Sequence, residues 1–106
     1  MTEFCIAYST APDQKVAETI AKALVEHKLA ACVNIINNMK SIYFWKNNLQ
    51  ADNEVILIIK TQHKLVAKLE EKLQEIHPYE CPCLIYLPIL GGSSAYLDWL
   101  KAETSS

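Results

Sequence analysis

From Ala31 to Trp45 the chain is β-rich with one polar interruption, at Asn37 and Asn38. As a single strand at ~3.3 Å per residue, these residues would reach about 50 Å. A globule of roughly 100 residues has a radius of gyration of about 13 Å and is only ~34 Å across. The strand must therefore bend, with Asn37-Asn38 as the natural place, or project beyond the body. Its far end carries Ile42, Tyr43, Phe44 and Trp45. A projecting arm with large apolar groups on both faces is an aggregation hazard unless it is covered. The economical cover is another copy of the chain, which predicts a homo-oligomer. The alternative is a hairpin that curls over its own sheet.

The rest of the chain supplies the partners of this arm. "FCIAY" (4–8) is a short apolar run bounded by "STAPD", the pattern of a central strand. Thr10 or Asp13 can cap the helix that follows, and Pro12 suits its start. Val16, Ile20 and Leu24 recur every fourth residue beside Ala17, Ala21 and Val25, which predicts an amphipathic helix of about three to four turns. "AACVNII" (30–36), "SIYFWKNN" (41–48) and "NEVILIIKT" (53–61) are strands, with a hairpin turn at Lys46-Asn47-Asn48, since Asn accepts positive φ. Leu65, Leu69, Leu73 and Ile76 stripe a second helix over 64–76, and Pro78 ends it. "LIYLPIL" (84–90) is the last strand, broken by Gly91 and Gly92. "SAYLDWL" (94–100) is a short helix capped by Ser93 or Ser94, and "AETSS" is a loose tail. The order β-α-β-β-α-β is that of an α+β, ferredoxin-like sandwich with a long β2–β3 hairpin and a short C-terminal helix. One domain is expected over residues 1–106.

Composition narrows the function. Ten basic and twelve acidic side chains give a net charge of −2, with no basic patch for nucleic acid. The opening "MTEF" is not a basic leader, and the first apolar run is too short to span a bilayer. A cytoplasmic, non-membrane protein with reduced thiols is the expectation. Phosphate-cradling glycine loops and a G-x-S-x-G elbow are both absent from the sequence. Nothing in it aligns a nucleophile, base and orienter, so no enzyme is expected.

The densest chemistry is "HPYECPC" (77–83). If 81–84 is extended, Cys81 and Cys83 point to one side and suit Cu(I) or Zn²⁺, with His77 as a third ligand across the turn. Against this, free cysteines are usually small apolar residues, here entering a strand, and His77 can be a helix-end cation. A thiol redox module on "CPC" is a further possibility and requires a depressed thiol pKa. Cys5 and Cys32 lie in apolar strand runs, where packing is their default. Tyr79, Tyr96 and Trp99 read as packing residues.

The ordered segments "APD" (11–13), "LAACVNI" (29–35), "SIYFW" (41–45), Glu54, "KT" (60–61), "HPY" (77–79), Pro82, "LP" (87–88), Gly92, Tyr96 and Trp99 resemble the CutA family, the divalent-cation tolerance proteins. The resemblance implies a ferredoxin-like fold and a tight homotrimer, similar to PII signalling proteins. It also implies a cytoplasmic protein tied to tolerance of copper and other divalent ions. The family pattern of copper ligation uses a cysteine before "TAPD" and two histidines in "HHPY". Here Ser9 and Ile76 stand at two of those positions and only His77 remains, so Cys81 and Cys83 are local additions. The metal candidates are thus His77, Cys81 and Cys83. The family's aromatic and charged set, Tyr43, Trp45, Glu54, Lys60 and Tyr79, is expected to line an intersubunit cleft. The alternative function is a PII-like signalling or structural interaction module in which metal is incidental.

Overall fold

The computed structural model describes residues 2–105. The elements run β1 (Phe4–Ala11), α1 (Gln14–Glu26), β2 (Cys32–Trp45), β3 (Asn48–Gln62), a single 3-10 turn (His63–Leu65), α2 (Val66–Ile76), β4 (Leu84–Pro88) and α3 (Ser94–Glu103). The four strands form one sheet in the order β2-β3-β1-β4, every pairing antiparallel. This is the expected ferredoxin-like βαββαβ arrangement.

The helix positions follow from their caps and stripes. Asp13 accepts a 2.8 Å hydrogen bond from the Val16 amide and starts α1. Ala17, Ile20, Ala21 and Leu24 of α1 and Leu69 and Leu73 of α2 are buried against Ala7, Val55, Leu57 and Ile59 of the sheet. Side chains alternate across a strand. Ile56 and Ile58 therefore point to the opposite face, as do Ile6 (opposite Lys60) and Ile85 (opposite Tyr8). Leu87, two residues on from Ile85, shares that face. These side chains stay half-buried or exposed, with Ile85 at 54% and Leu87 at 47%. The sheet thus has one apolar face under α1 and α2 and a second apolar face open.

The long arm both bends and projects. The β2–β3 register shifts between Ile36 and Met39, and Asn38 sits there with φ of 65°. This bulge adds twist in mid-strand. Beyond it pairing resumes to Trp45 opposite Asn48, and Lys46 and Asn47 close the hairpin with φ of 50° and 67°. The molecule measures 45 × 25 × 23 Å, longer than a sphere of its mass because of this arm.

Several boundaries differ from the sequence reading. The runs 30–36 and 41–48 join into the single strand β2 (Cys32–Trp45), β3 begins at Asn48 rather than residue 53, and α2 begins at Val66 rather than residue 64. β1 continues to Ala11 because "STA" pairs with Leu57 to Val55 of β3. β4 ends at Pro88 rather than residue 90. The tail is not loose over its first residues. α3 runs to Glu103, and buried Thr104 accepts a 2.7 Å hydrogen bond from Gln62 Nε2. Ser106 lies outside the described residues.

Candidate functional site

Side chains that share the open-face parity of β2 and β3 converge near the base of the arm. Glu54 pairs with Met39, Asp52 with Ser41 and Gln50 with Tyr43. Ser41, Tyr43, Trp45, Asp52 and Glu54 therefore project to one side. The α2–β4 connection crosses this side. Pro78 forces His77 into extended backbone, φ −82° and ψ 135°, and stops α2. Pro78 to Cys83 then form the second wall of a cleft of about 740 Å³, and Tyr8 and Thr10 of β1 form its floor.

Two tyrosines hold the carboxylates. Tyr79 Oη donates to Glu54 Oε2 at 3.0 Å, and Tyr43 Oη donates to Asp52 Oδ2 at 2.6 Å. Glu54 is only 7% exposed. Burial, then the Glu54 carboxylate, pushes the Tyr79 phenol far above its usual range. The hydrogen bond to Asp52 raises Tyr43. Among the described residues no lysine, arginine or histidine lines the cleft. Its third carboxylate, Glu80, reaches Lys46 at 3.6 Å on the exposed rim.

His77 supports this wall from behind. Its Nδ1 accepts from the Tyr79 amide at 3.1 Å, and its Nε2 meets the Thr10 carbonyl at 2.7 Å. The tautomer that satisfies both contacts carries hydrogen on Nε2. Buried at 7% exposure, with its ring 4.7 Å from that of Tyr79, His77 ties the end of α2 to β1. Neither ring nitrogen faces the cleft without a partner. A helix-end cation, the structural role considered from sequence, does not describe this contact, because Nδ1 acts as an acceptor.

Cys81 and Cys83 both line the cleft, Cys81 exposed and Cys83 half-buried. Ser9 is buried and donates to the Cys83 carbonyl at 2.6 Å. Burial raises the Cys83 thiol, with smaller contributions from Glu54 and Cys81. This opposes the redox-module reading, which needs a lowered value. Cys83 is accordingly expected to alkylate slowly with iodoacetamide at pH 7 and to accelerate only above the range of an ordinary thiol. Peptide mapping across a pH series measures this, and fast labelling of Cys83 at pH 7 contradicts it.

The fit to a soft metal is partial. Two thiols and a buried carboxylate face one space, which suits Cu(I) or Zn²⁺ chemically. Among the described residues no three His, Cys, Asp or Glu side chains are gathered closely enough to hold an ion. One chain supplies an open wall of donors, and a third ligand has to come from rearrangement or from a second copy.

Of the expected cleft set, Tyr43, Trp45, Glu54 and Tyr79 come together. Lys60 does not. It lies six residues along β3 from Glu54, about 20 Å at strand rise, and its Nζ sits 3.4 Å from Tyr96 Oη and over that ring. Tyr8 and Asp52 were missed, although the period-2 spacing of Asp52 and Glu54 marks them as same-face neighbours. Cys5 is buried in β1, as read from the sequence. The packing reading of Tyr79, Tyr96 and Trp99 does not hold: Tyr79 lines the cleft, and Tyr96 and Trp99, with rings 5.5 Å apart, stay exposed.

Comparison with known proteins places this arrangement. Residues 5–103 match the family model described as CutA1 divalent ion tolerance protein. The chain is 47% identical over 95 residues to the divalent-cation tolerance protein CutA of Thermus thermophilus, covering 90% of this chain and 92% of that one. It is 43% identical to a chloroplastic protein CutA of Arabidopsis thaliana, covering 93% of this chain but only 54% of that protein. The solved Thermus thermophilus Cut A1 structure superposes with a TM-score of 0.93 at 44% identity, covering 96% of this chain and 99% of that one. Among the described residues no helix is long and apolar enough to cross a membrane. The βαββαβ fold, the match over residues 5–103 and the 47% identity over 95 residues show that the chain belongs to the CutA1 divalent ion tolerance family.

Proposed function

We propose that this chain acts in divalent-ion tolerance as a cytoplasmic homotrimer, one domain per subunit, that binds its ligands and catalyses no reaction. The open apolar sheet face and the exposed arm support trimerisation, since both need a cover. The observation that carries the binding reading is the cleft in which two thiols and the buried Glu54 carboxylate face one space. Soft ions, copper first, contact Cys81 and Cys83 there. His77 joins as a ligand only by giving up its bond to the Thr10 carbonyl. Metal binding displaces thiol protons. Because the Cys83 thiol is raised, copper affinity is expected to increase with pH through the neutral range.

Titration of the reduced protein with Cu(I) against a competing chelator tests this. The Cys81→Ser/Cys83→Ser double variant is expected to lose at least tenfold in affinity, and His77→Ala to retain most of it. Equal affinity in wild type and the double variant removes the thiols from any site.

One observation favours the PII-like alternative. The cleft is about 740 Å³, the size of a small-molecule site and far more than a bare ion needs. Tyr8, Tyr43, Trp45 and Tyr79 give its walls aromatic faces. Its uncompensated carboxylates repel phosphates, so nucleotides are not its ligands. An effector at 100 times its Kd would stabilise the protein by about 2.7 kcal/mol, and a thermal-shift panel of nucleotides is expected to show no such effect.

A further inference from the structure

Cys81 and Cys83 are the chain's one pair of cysteines close in sequence. Both line the cleft, and both are free thiols. Covalent geometry limits their separation, because two peptide steps leave the Cα atoms at most about 7 Å apart. Pro82 between them locks its own φ and keeps Cys81 out of helical backbone. A direct disulfide demands Cβ atoms roughly 3.5–4.5 Å apart, which this stiff link opposes. A third atom bridging the two sulfurs lengthens the ring and relaxes that demand. The other two cysteines form no second pair. Cys5 sits opposite Thr61 and Cys32 opposite Lys60. Those are adjacent positions of β3, so the two thiols point to opposite faces of the sheet.

We propose that Cys81 and Cys83 form a two-thiol site for a trivalent organic arsenical, one arsenic per chain. Arsenic(III) is soft and thiophilic, and with one carbon substituent it takes two further donors. With phenylarsine oxide, two As–S bonds form and the As–O double bond breaks. Both thiol protons leave with the oxygen as one water, and arsenic stays trivalent, so no oxidant or reductant is needed. A metal ion instead displaces thiol protons into solvent and takes three or four protein ligands. Among the described residues no three His, Cys, Asp or Glu side chains are gathered to supply them. The arsenical is completed by two thiols of one segment, whatever a second copy adds to the cleft. It is also uncharged, so the carboxylates of the cleft do not select against it. This rests on the reading of the two cleft thiols as available ligands, which copper binding also requires, and names a ligand of different chemistry for them.

Titration of the reduced, natively assembled protein with phenylarsine oxide tests the proposal, read by intact mass and by counting free thiols. One arsenical per chain is expected, with two thiols lost for each one bound. Peptide mapping is expected to find Cys81 and Cys83 protected together from iodoacetamide. Cys81→Ser and Cys83→Ser are each expected to weaken binding by about a hundredfold or more, because either one removes the second, intramolecular attachment. Cys32→Ser is expected to leave it unchanged. Should Cys83→Ser not fold, the exposed Cys81 position still decides the matter. Full affinity in Cys81→Ser, or one thiol lost per arsenical, overturns the two-thiol site. Binding that occurs only in denaturant overturns it too, since the thiols of the assembled protein then do not meet on one atom. A parallel Cu(I) titration separates the two readings. Copper bound without the arsenical overturns this proposal and leaves the copper reading standing, and binding of neither overturns both.

Discussion

Ile58→Glu combined with Leu87→Glu is expected to convert the protein from a species of about three times the 12.0 kDa chain mass to a single chain, read by multi-angle light scattering. Both residues lie on the sheet face turned away from α1 and α2, Ile58 in β3 and Leu87 in the edge strand β4. That face also carries Ile6, Ile56 and Ile85. Each large aliphatic side chain taken fully out of water contributes about 1.5–3 kcal/mol, so a face of this kind drives association. A glutamate inside it reverses the sign, since an unpaired buried carboxylate costs several kcal/mol after relaxation. In the isolated subunit the same substitutions point to solvent and leave Val55, Leu57 and Ile59 packed against the helices. The variant is therefore expected to remain folded by circular dichroism while losing its partners. An unchanged mass, or a wild type that is already a single chain, removes the open face from the assembly.

This open face was only half legible in the sequence. The arm announced itself by length, and its bend at Asn37-Asn38 is the observed bulge. The apolar stripes of α1 and α2 were readable because a period near four survives without knowledge of tertiary contacts. The second sheet face was also written there, in "FCIAY" and "VILII". Such unbroken runs mean that both faces of a strand need burial, and two helices can cover only one. Lys60 and His77 could not be placed this way. The resemblance grouped Lys60 with Glu54, but strand rise separates them within one chain. The contact of His77 with Thr10 joins residues 67 positions apart, and no local pattern encodes it. Cys83 shows the same limit, because its raised thiol depends on burial and on Glu54 across the cleft.

His77→Ala is expected to lower the unfolding free energy by about 2–5 kcal/mol, because it leaves one buried and one part-buried backbone group without partners, at about 1–3 kcal/mol for a buried one, and opens a void. The Thr10 carbonyl loses its Nε2 donor and the Tyr79 amide loses its Nδ1 acceptor. At roughly 4–8 °C per kcal/mol for a domain of about 100 residues, the midpoint falls by about 8 °C or more at matched protein concentration. The joint from His77 to Cys83 loosens with it, so Tyr79 and Glu54 separate and the cleft wall becomes mobile. This outcome differs in kind from that of a surface ligand. A histidine whose role is metal binding would, when removed, lower copper affinity and leave the melting of the metal-free protein nearly unchanged. The two hydrogen bonds and the 7% exposure predict the reverse order, a large loss of stability with copper affinity mostly kept. Chemical denaturation and Cu(I) titration on the same variant separate them, because a strut and a ligand cannot both be the main role of one imidazole with two nitrogens already engaged.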